Sequence, residues 1–291
     1  MKILITGIDS FTGFYLEESL RNCGFDIFGT SNLKSSDDIF HLDICNYSST
    51  REILKKVKPN IIIHLAAVSH VAHEVKDEIY ISNIIGTRNL LECFREIDIN
   101  DKSFIFPSTA NVYKPTKDLI FEDSLIKPIN DYAISKLACE NILHLYKEHF
   151  NCTILRFFNY TGVLQSDKFL VPKIVNHFRE KKHELHLGDL EISRDFSDVR
   201  DVAEIYKYVV HDPEELDLIN VCSGQEISIK EIVETCKKIS GHDIEVKSNP
   251  EFKRKNEIKN LLGSTSKVGN IIPDNKRIKF NETLEWMLNA V

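Results

Sequence analysis

The stretch Lys2-Ile3-Leu4-Ile5-Thr6-Gly7-Ile8-Asp9-Ser10-Phe11-Thr12-Gly13 decides how the rest of the chain is read. A short apolar run of strand length enters a turn flanked by Gly7 and Gly13, and apolar residues at helical spacing continue from Gly13 to Cys23. Strand, glycine-bearing turn and helix in this order let bare backbone approach a pyrophosphate, whose charge the helix N-terminus favours. Ser10 stands where the fingerprint usually has its middle glycine, and its hydroxyl can donate instead. Gly7, Ser10, Phe11 and Gly13 are the first candidate cofactor-binding residues.

Working outward, apolar runs that read as buried strands occupy Asp26–Thr30, Asn60–Ala66, Ser103–Ser108 and Thr153–Phe158. Helical patterns over Ser48–Lys56, Glu78–Glu96 and Tyr132–Phe150 lie between them. This alternation predicts an α/β fold with a doubly wound parallel sheet, a Rossmann domain over residues 1–158. Past Phe158 the pattern loosens around Gly162–Phe169 and Glu184–Phe196, and a Lys- and Asn-rich segment runs near Lys247–Lys259. Asp217–Cys222 reads as one more strand and Ile227–Ser240 as a helix. The expectation is a smaller, interleaved, C-terminal substrate-binding domain over 159–193 and 223–291, with 194–222 returning to the first domain.

With 291 residues, 42% hydrophobic and 28% charged, the composition is that of an ordinary soluble globular protein. A formal charge of -7 argues against a general nucleic-acid partner. The seven cysteines form no CxxC and are odd in number, so neither a metal site nor a disulfide framework is expected. Reduced thiols in the cytoplasm are the simplest account. No signal peptide and no apolar run of about 18 residues is read, so no membrane is expected.

Chemistry is carried by Tyr132-Ala-Ile-Ser-Lys136, preceded by Pro107-Ser108-Thr109. Residues four apart share a helix face, so Lys136 can hold its ammonium beside the Tyr132 phenol and favour the phenolate. Tyr132 can then exchange a proton with a substrate oxygen, as carbonyl reduction or alcohol oxidation requires. Thr109 either contacts that oxygen or caps backbone at the strand end. The second strand ends Phe28-Gly29-Thr30-Ser31-Asn32, without the acid that commonly meets the ribose of NAD. Thr30, Ser31 and Lys34 can bind a 2′-phosphate, so NADP(H) is preferred and NAD(H) is the alternative; these residues can equally be plain loop. Asp43, followed by Ile44, either receives the adenine amino group or caps a helix.

With these residues in view, the chain resembles the extended short-chain dehydrogenase/reductase family acting on nucleotide sugars, over nearly its whole length. His64-Leu65-Ala66-Ala67, Asn83 within Asn-Ile-Ile-Gly-Thr87-Arg-Asn89, and Asn159 after Arg156-Phe-Phe are similar to that family's landmarks. Gly188-Asp-Leu-Glu-Ile-Ser-Arg194-Asp195-Phe196, Asp198-Val-Arg-Asp201 and Arg254-Lys-Asn-Glu257 resemble the branch holding GDP-mannose 4,6-dehydratase and GDP-6-deoxy-D-mannose reductase. By this resemblance Thr109, Tyr132 and Lys136 form the catalytic triad, and Leu65, Ala66, Ala67 and Asn83 border the cofactor. Arg194 and Arg254 would hold the diphosphate of the sugar nucleotide, with Asn159 and Lys173 beside it. For either arginine a surface or local ion pair is an equal alternative.

Departures from the family pattern speak to reaction type. Where the dehydratases carry a glutamate base two residues after the catalytic Ser or Thr, this chain has Asn111. The cysteine and histidine of the epimerase/reductases correspond to Asn111 and Leu164. His70 and His73, in a loop after the third strand, are the remaining substitutes for a base, with a surface or cofactor-adjacent role the preferred reading. The resemblance therefore implies reduction of the 4-keto group of a 4-keto-6-deoxy nucleotide sugar, with GDP, CDP or dTDP left open as the nucleotide. A 4-epimerase retaining tightly bound NAD is the alternative. Asp77–Glu96 and Tyr132–Phe150 resemble the family's dimer-forming helices, so a homodimer is expected.

Overall fold

Ile3, Leu4 and Ile5 are fully buried, and the opening apolar run is an interior strand of a seven-stranded sheet. The structure is a computed structural model and describes residues 1–69, 75–212, 217–249 and 260–290. In chain order it forms β1 (Lys2–Thr6), α1 (Phe11–Asn22), β2 (Asp26–Ser31), β3 (Ile39–His41), α2 (Tyr47–Val57), β4 (Ile61–His64), α3 (Lys76–Tyr80), α4 (Gly86–Arg95), β5 (Ser103–Thr109), α5 (Asp131–His144) and β6 (Asn151–Phe157). There follow β7 (Asn159–Thr161), α6 (Leu170–Arg179), β8 (Glu184–Leu187), β9 (Ser193–Asp198), α7 (Val199–His211), β10 (Leu218–Val221), β11 (Glu226–Ser228), α8 (Ile229–Ser240), β12 (Glu245–Ser248), α9 (Val268–Ile271) and α10 (Phe280–Asn289).

The large sheet runs β3-β2-β1-β4-β5-β6-β10, and β1 pairs in parallel with both β2 and β4. Strand order reverses at β1/β4, so the carboxyl ends of these strands, at Thr6 and His64, flank the switch point where open α/β sheets bind ligands. β3, just ahead of Asp43, is a three-residue edge strand with no fully buried position. The single helix expected over Glu78–Glu96 is instead α3, a π-helical turn over Ile81–Ile85, and α4. The helix expected to reach Phe150 ends at His144.

The chain divides into two compact units. The first comprises Met1–Lys114, Leu125–Arg156 and Ala203–Ile219. Its core gathers Leu4, Ile62, Leu90, Phe104 and Leu143, with the Phe94 and Phe150 ring centroids 5.0 Å apart. The second comprises Pro115–Ser124, Phe157–Val202 and Asn220–Val291, and contains the small sheets β11-β9-β7 and β12-β8. There α6, α8 and α10 bury Ile174, Phe178, Ile232 and Leu284, and Phe196 stacks on Phe280 at 5.2 Å. A capping box, Ser228 with Glu231, starts α8.

Candidate active site

The first turn has room for backbone only. Gly7 has φ +66°, and a Cβ there would lie 3.0 Å from the backbone of Ala66; at Gly13 it would meet the Ile8 carbonyl oxygen at 2.3 Å. Ser10 is the N-cap of α1, its hydroxyl oxygen accepting from Gly13 N at 3.1 Å, with Phe11 the first helical residue. A helix N-terminus behind a glycine-lined approach fits a dinucleotide pyrophosphate. Thr30 and Ser31 end β2 almost completely buried. The Ser31 hydroxyl donates to Asp9 Oδ2 at 2.7 Å and accepts from Leu33 N at 2.9 Å and Lys34 N at 3.2 Å.

Asp43 Oδ1 accepts from Cys45 N at 2.9 Å, while the cap of α2 is Asn46, so Asp43 is not that helix's cap. Asn89 donates to the carbonyls of Ile44 and Cys45, fastening this loop to α4. Leu65 and Ala66 bond back to β1, Leu65 N to Thr6 O and Ala66 N to Thr6 Oγ1. The Asn83 side chain, in the π turn, accepts from Val68 N at 2.8 Å and donates to Ser135 Oγ at 2.9 Å, so it braces the loop after β4 against α5. A π turn at a functional position is a recurrent arrangement.

Under this loop lies His64, fully buried, which pushes its imidazole down to about 3 and keeps it neutral. The Thr87 hydroxyl donates to Asn83 O, so toward His64 Nε2, 2.9 Å away, Thr87 can only accept. Nε2 therefore carries the ring proton and Nδ1 accepts from Thr6 Oγ1 at 2.7 Å. One directed chain runs from Ala66 N through Thr6, His64 and Thr87 to Asn83 O.

Tyr132 and Lys136 sit in the first turns of α5, whose N-cap Asn130 accepts from Ala133 N at 2.8 Å. Lys136 Nζ lies 6.0 Å from the Tyr132 ring centroid, 4.6 Å from that of Phe106, and donates to Pro107 O at 2.8 Å. Burial lowers the Lys136 ammonium to about 8. Thr109, two residues beyond Pro107, accepts at Oγ1 from both the backbone N and the side-chain Nδ2 of Asn111, each at 3.2 Å. With both lone pairs engaged, the valence left to the Thr109 hydroxyl is its proton, which can be donated to a substrate oxygen.

Behind these residues is a buried ion pair that sequence reading missed. Arg156 grips Glu140 bidentately, Nε to Oε1 at 3.0 Å and Nη2 to Oε2 at 2.7 Å, and its Nη1 donates to Tyr113 OH at 2.9 Å. Ser108 donates to the same Glu140. Two α5 residues one turn apart, Lys136 and Glu140, thus hold consecutive residues of β5, Pro107 and Ser108. Glu140 at four residues from Lys136 was the available signal, but its partner comes from β6.

In the second unit, Asn159 Nδ2 donates to Asp195 O at 3.4 Å, Lys173 Nζ to His186 O at 2.9 Å, and Arg194 Nη1 to Ser193 O at 2.8 Å. Asp195, fully buried, accepts from Ser223 N, Ser223 Oγ and Gly224 N and ties β9 to the turn after β10. Leu164 is exposed with φ +71°. Arg254, His70 and His73 lie outside the described residues. Among the described residues, no His/Cys/Asp/Glu group suits a metal ion and no helix is long and apolar enough to cross a membrane.

Residues 4–287 match the family model described as GDP-mannose 4,6 dehydratase. The chain belongs to the GDP-mannose 4,6 dehydratase family. Similar to it is GDP-6-deoxy-D-talose 4-dehydrogenase of Aggregatibacter actinomycetemcomitans, 34% identical over 281 residues, or 95% of this chain and 93% of the relative. GDP-6-deoxy-D-mannose reductase of Pseudomonas aeruginosa is 29% identical over 243 residues, or 79% of this chain and 80% of the relative. The structure of RMD from Pseudomonas aeruginosa complexed with NADPH superposes with a TM-score of 0.86 at 26% identity, covering 99% of this chain and 97% of that one. The resemblance seen in the motifs and the Rossmann sheet both hold for this GDP-mannose 4,6 dehydratase family member.

Proposed function

We propose that the protein reduces the 4-keto group of a nucleotide-activated 4-keto-6-deoxy-sugar, and that the nucleotide is GDP. The observation that carries this is the hydroxyl of Thr109 held by an amide, Asn111, beside the strand that Lys136 grips. An amide cannot remove a proton from carbon, so the dehydratase reaction lacks its base, whereas proton donation to a carbonyl oxygen needs only Tyr132 and Thr109. The names of the two relatives, each a GDP-6-deoxy-sugar 4-dehydrogenase or reductase, support the substrate class.

The nicotinamide dinucleotide, when bound, supplies the hydride that reaches C4 of the sugar. Gly7, Ser10 and Gly13 would receive its pyrophosphate at the α1 N-terminus, and Leu65, Ala66, Ala67 and Asn83 would border it. Tyr132 delivers the proton to the carbonyl oxygen. Lys136 favours departure of that proton by its charge, and Thr109 stabilises the developing oxyanion, an effect worth about 10²-fold. Arg194 and Arg254 would hold the diphosphate, and Asn159 and Lys173 the same substrate.

Isotope incorporation tests the reaction type. With 4-deuterated cofactor of the correct face, a GDP-4-keto-6-deoxy-sugar should gain one deuterium at C4. In D₂O with unlabelled cofactor it should gain none at carbon beyond the spontaneous exchange of the keto-sugar. Enzyme-dependent solvent deuterium at C3 or C5 would reveal a base among residues such as His70 or His73. Inversion at C4 without net cofactor turnover would instead identify a 4-epimerase.

A further inference from the structure

The structure assigns Asp9, in the first turn, the selection of cofactor: we propose that its carboxylate directs the site to NAD(H) and away from NADP(H). This rests on the dinucleotide reading of the turn and deepens it. The end of β2, taken alone, carries no acid and offers hydroxyls, which favours a 2′-phosphate. Folding changes its character. Gly7 N and Ile8 N both donate to Thr30 O, at 2.8 and 3.2 Å, which lays the turn against the tip of β2. Asp9 thereby meets Ser31, twenty-two residues away in sequence, and Oδ2 receives the Ser31 hydroxyl proton at 2.7 Å.

A serine hydroxyl has one proton and two acceptor sites. At Ser31 the proton goes to Asp9, and the acceptor sites go to Leu33 N and Lys34 N. None of these groups is left to donate to a phosphate, and the Thr30 side chain is buried at 1% exposure. The carboxylate, oriented by Ser31, keeps Oδ1 for a neighbouring donor, which the 2′,3′-diol of a bound ribose would provide. A dianionic 2′-phosphate at the same place would face a like charge. The nearby basic side chain, Lys34, is exposed and is followed by Asp37 and Asp38; Arg21 is already paired with Glu17 and Asp38. An acid delivered by the first turn thus does what an acid at the end of the second strand commonly does.

Equilibrium binding of NADH and NADPH to the full chain, without sugar, tests this by titration calorimetry. The wild-type protein should bind NADH at least about tenfold more tightly than NADPH, the scale of one like-charge encounter near a protein surface. Asp9→Asn, nearly isosteric, should bring the two affinities within about threefold, mainly by a gain for NADPH. Ser31→Ala keeps the charge and should retain the NADH preference. Tighter binding of NADPH by the wild type, or an unchanged ratio in Asp9→Asn, would overturn the assignment of Asp9 alone. Failure of the wild type to bind either dinucleotide would overturn the cofactor reading itself.

Discussion

Lys136 shows how burial tunes a single side chain. At 3% exposure its ammonium is desolvated, and its acidity is brought from the usual lysine range to about 8. Pro107 O holds it, and in the proposed reduction it would have to carry its proton for Tyr132 to release its own. Below pH 8 the cation is present and its electrostatic pull on Tyr132 is complete; above pH 8 it is lost. We therefore expect kcat of ketone reduction to fall as pH rises through about 8, and the residual activity of Lys136→Arg to lose that limb because a guanidinium stays charged. Tyr132→Phe should lower kcat by about 10²- to 10⁴-fold while dinucleotide affinity is kept. A pH-rate profile flat to pH 9 would exclude this role for Lys136.

At the scale of elements, β5, β6 and α5 are locked by Glu140 and Arg156, whose side chains are 4% and 7% exposed. Such a pair adds little against a well-packed apolar replacement, but removing one partner leaves a buried charge. Glu140→Gln should lose about 3–5 kcal/mol of unfolding free energy, read by urea denaturation, and Glu140→Leu with Arg156→Met should recover most of it. A loss under about 1 kcal/mol for the single change would mean that water or another group compensates Arg156. Since Ser108 bonds to the same carboxylate, the single change should also lower kcat by loosening Thr109. The π turn at Ile81–Ile85 is a second device of this kind, where helical periodicity alone predicts one unbroken helix and the Asn83 bonds account for the interruption.

For the molecule as a whole, the π turn and α5 present Ile81, Ile85 and Ile134 to solvent at 53%, 45% and 42% exposure. Tyr80 OH donates to Asp131 Oδ1 at 2.8 Å and holds α3 beside the start of α5. We expect this apolar face to pair with itself across a two-fold axis. Light scattering should give twice the 33.5 kDa chain mass, and Ile81→Glu with Ile134→Glu should return the single-chain mass. A monomeric wild type at micromolar concentration would refute the pairing. By itself the sequence determined the Rossmann alternation, the glycine turn and the Tyr132-to-Lys136 spacing, because strand and helix periods and a four-residue helical step are local properties. It also marked Asn111 as no base, since that depends only on the chemistry of an amide. Only the tertiary structure decided that Asn111 holds Thr109, that Glu140 meets Arg156, that His64 is neutral with its proton on Nε2, and that Asp9 meets Ser31. Each of these except the first joins residues on different elements, and a side chain's partners and desolvation follow from which elements pack together rather than from spacing along the chain.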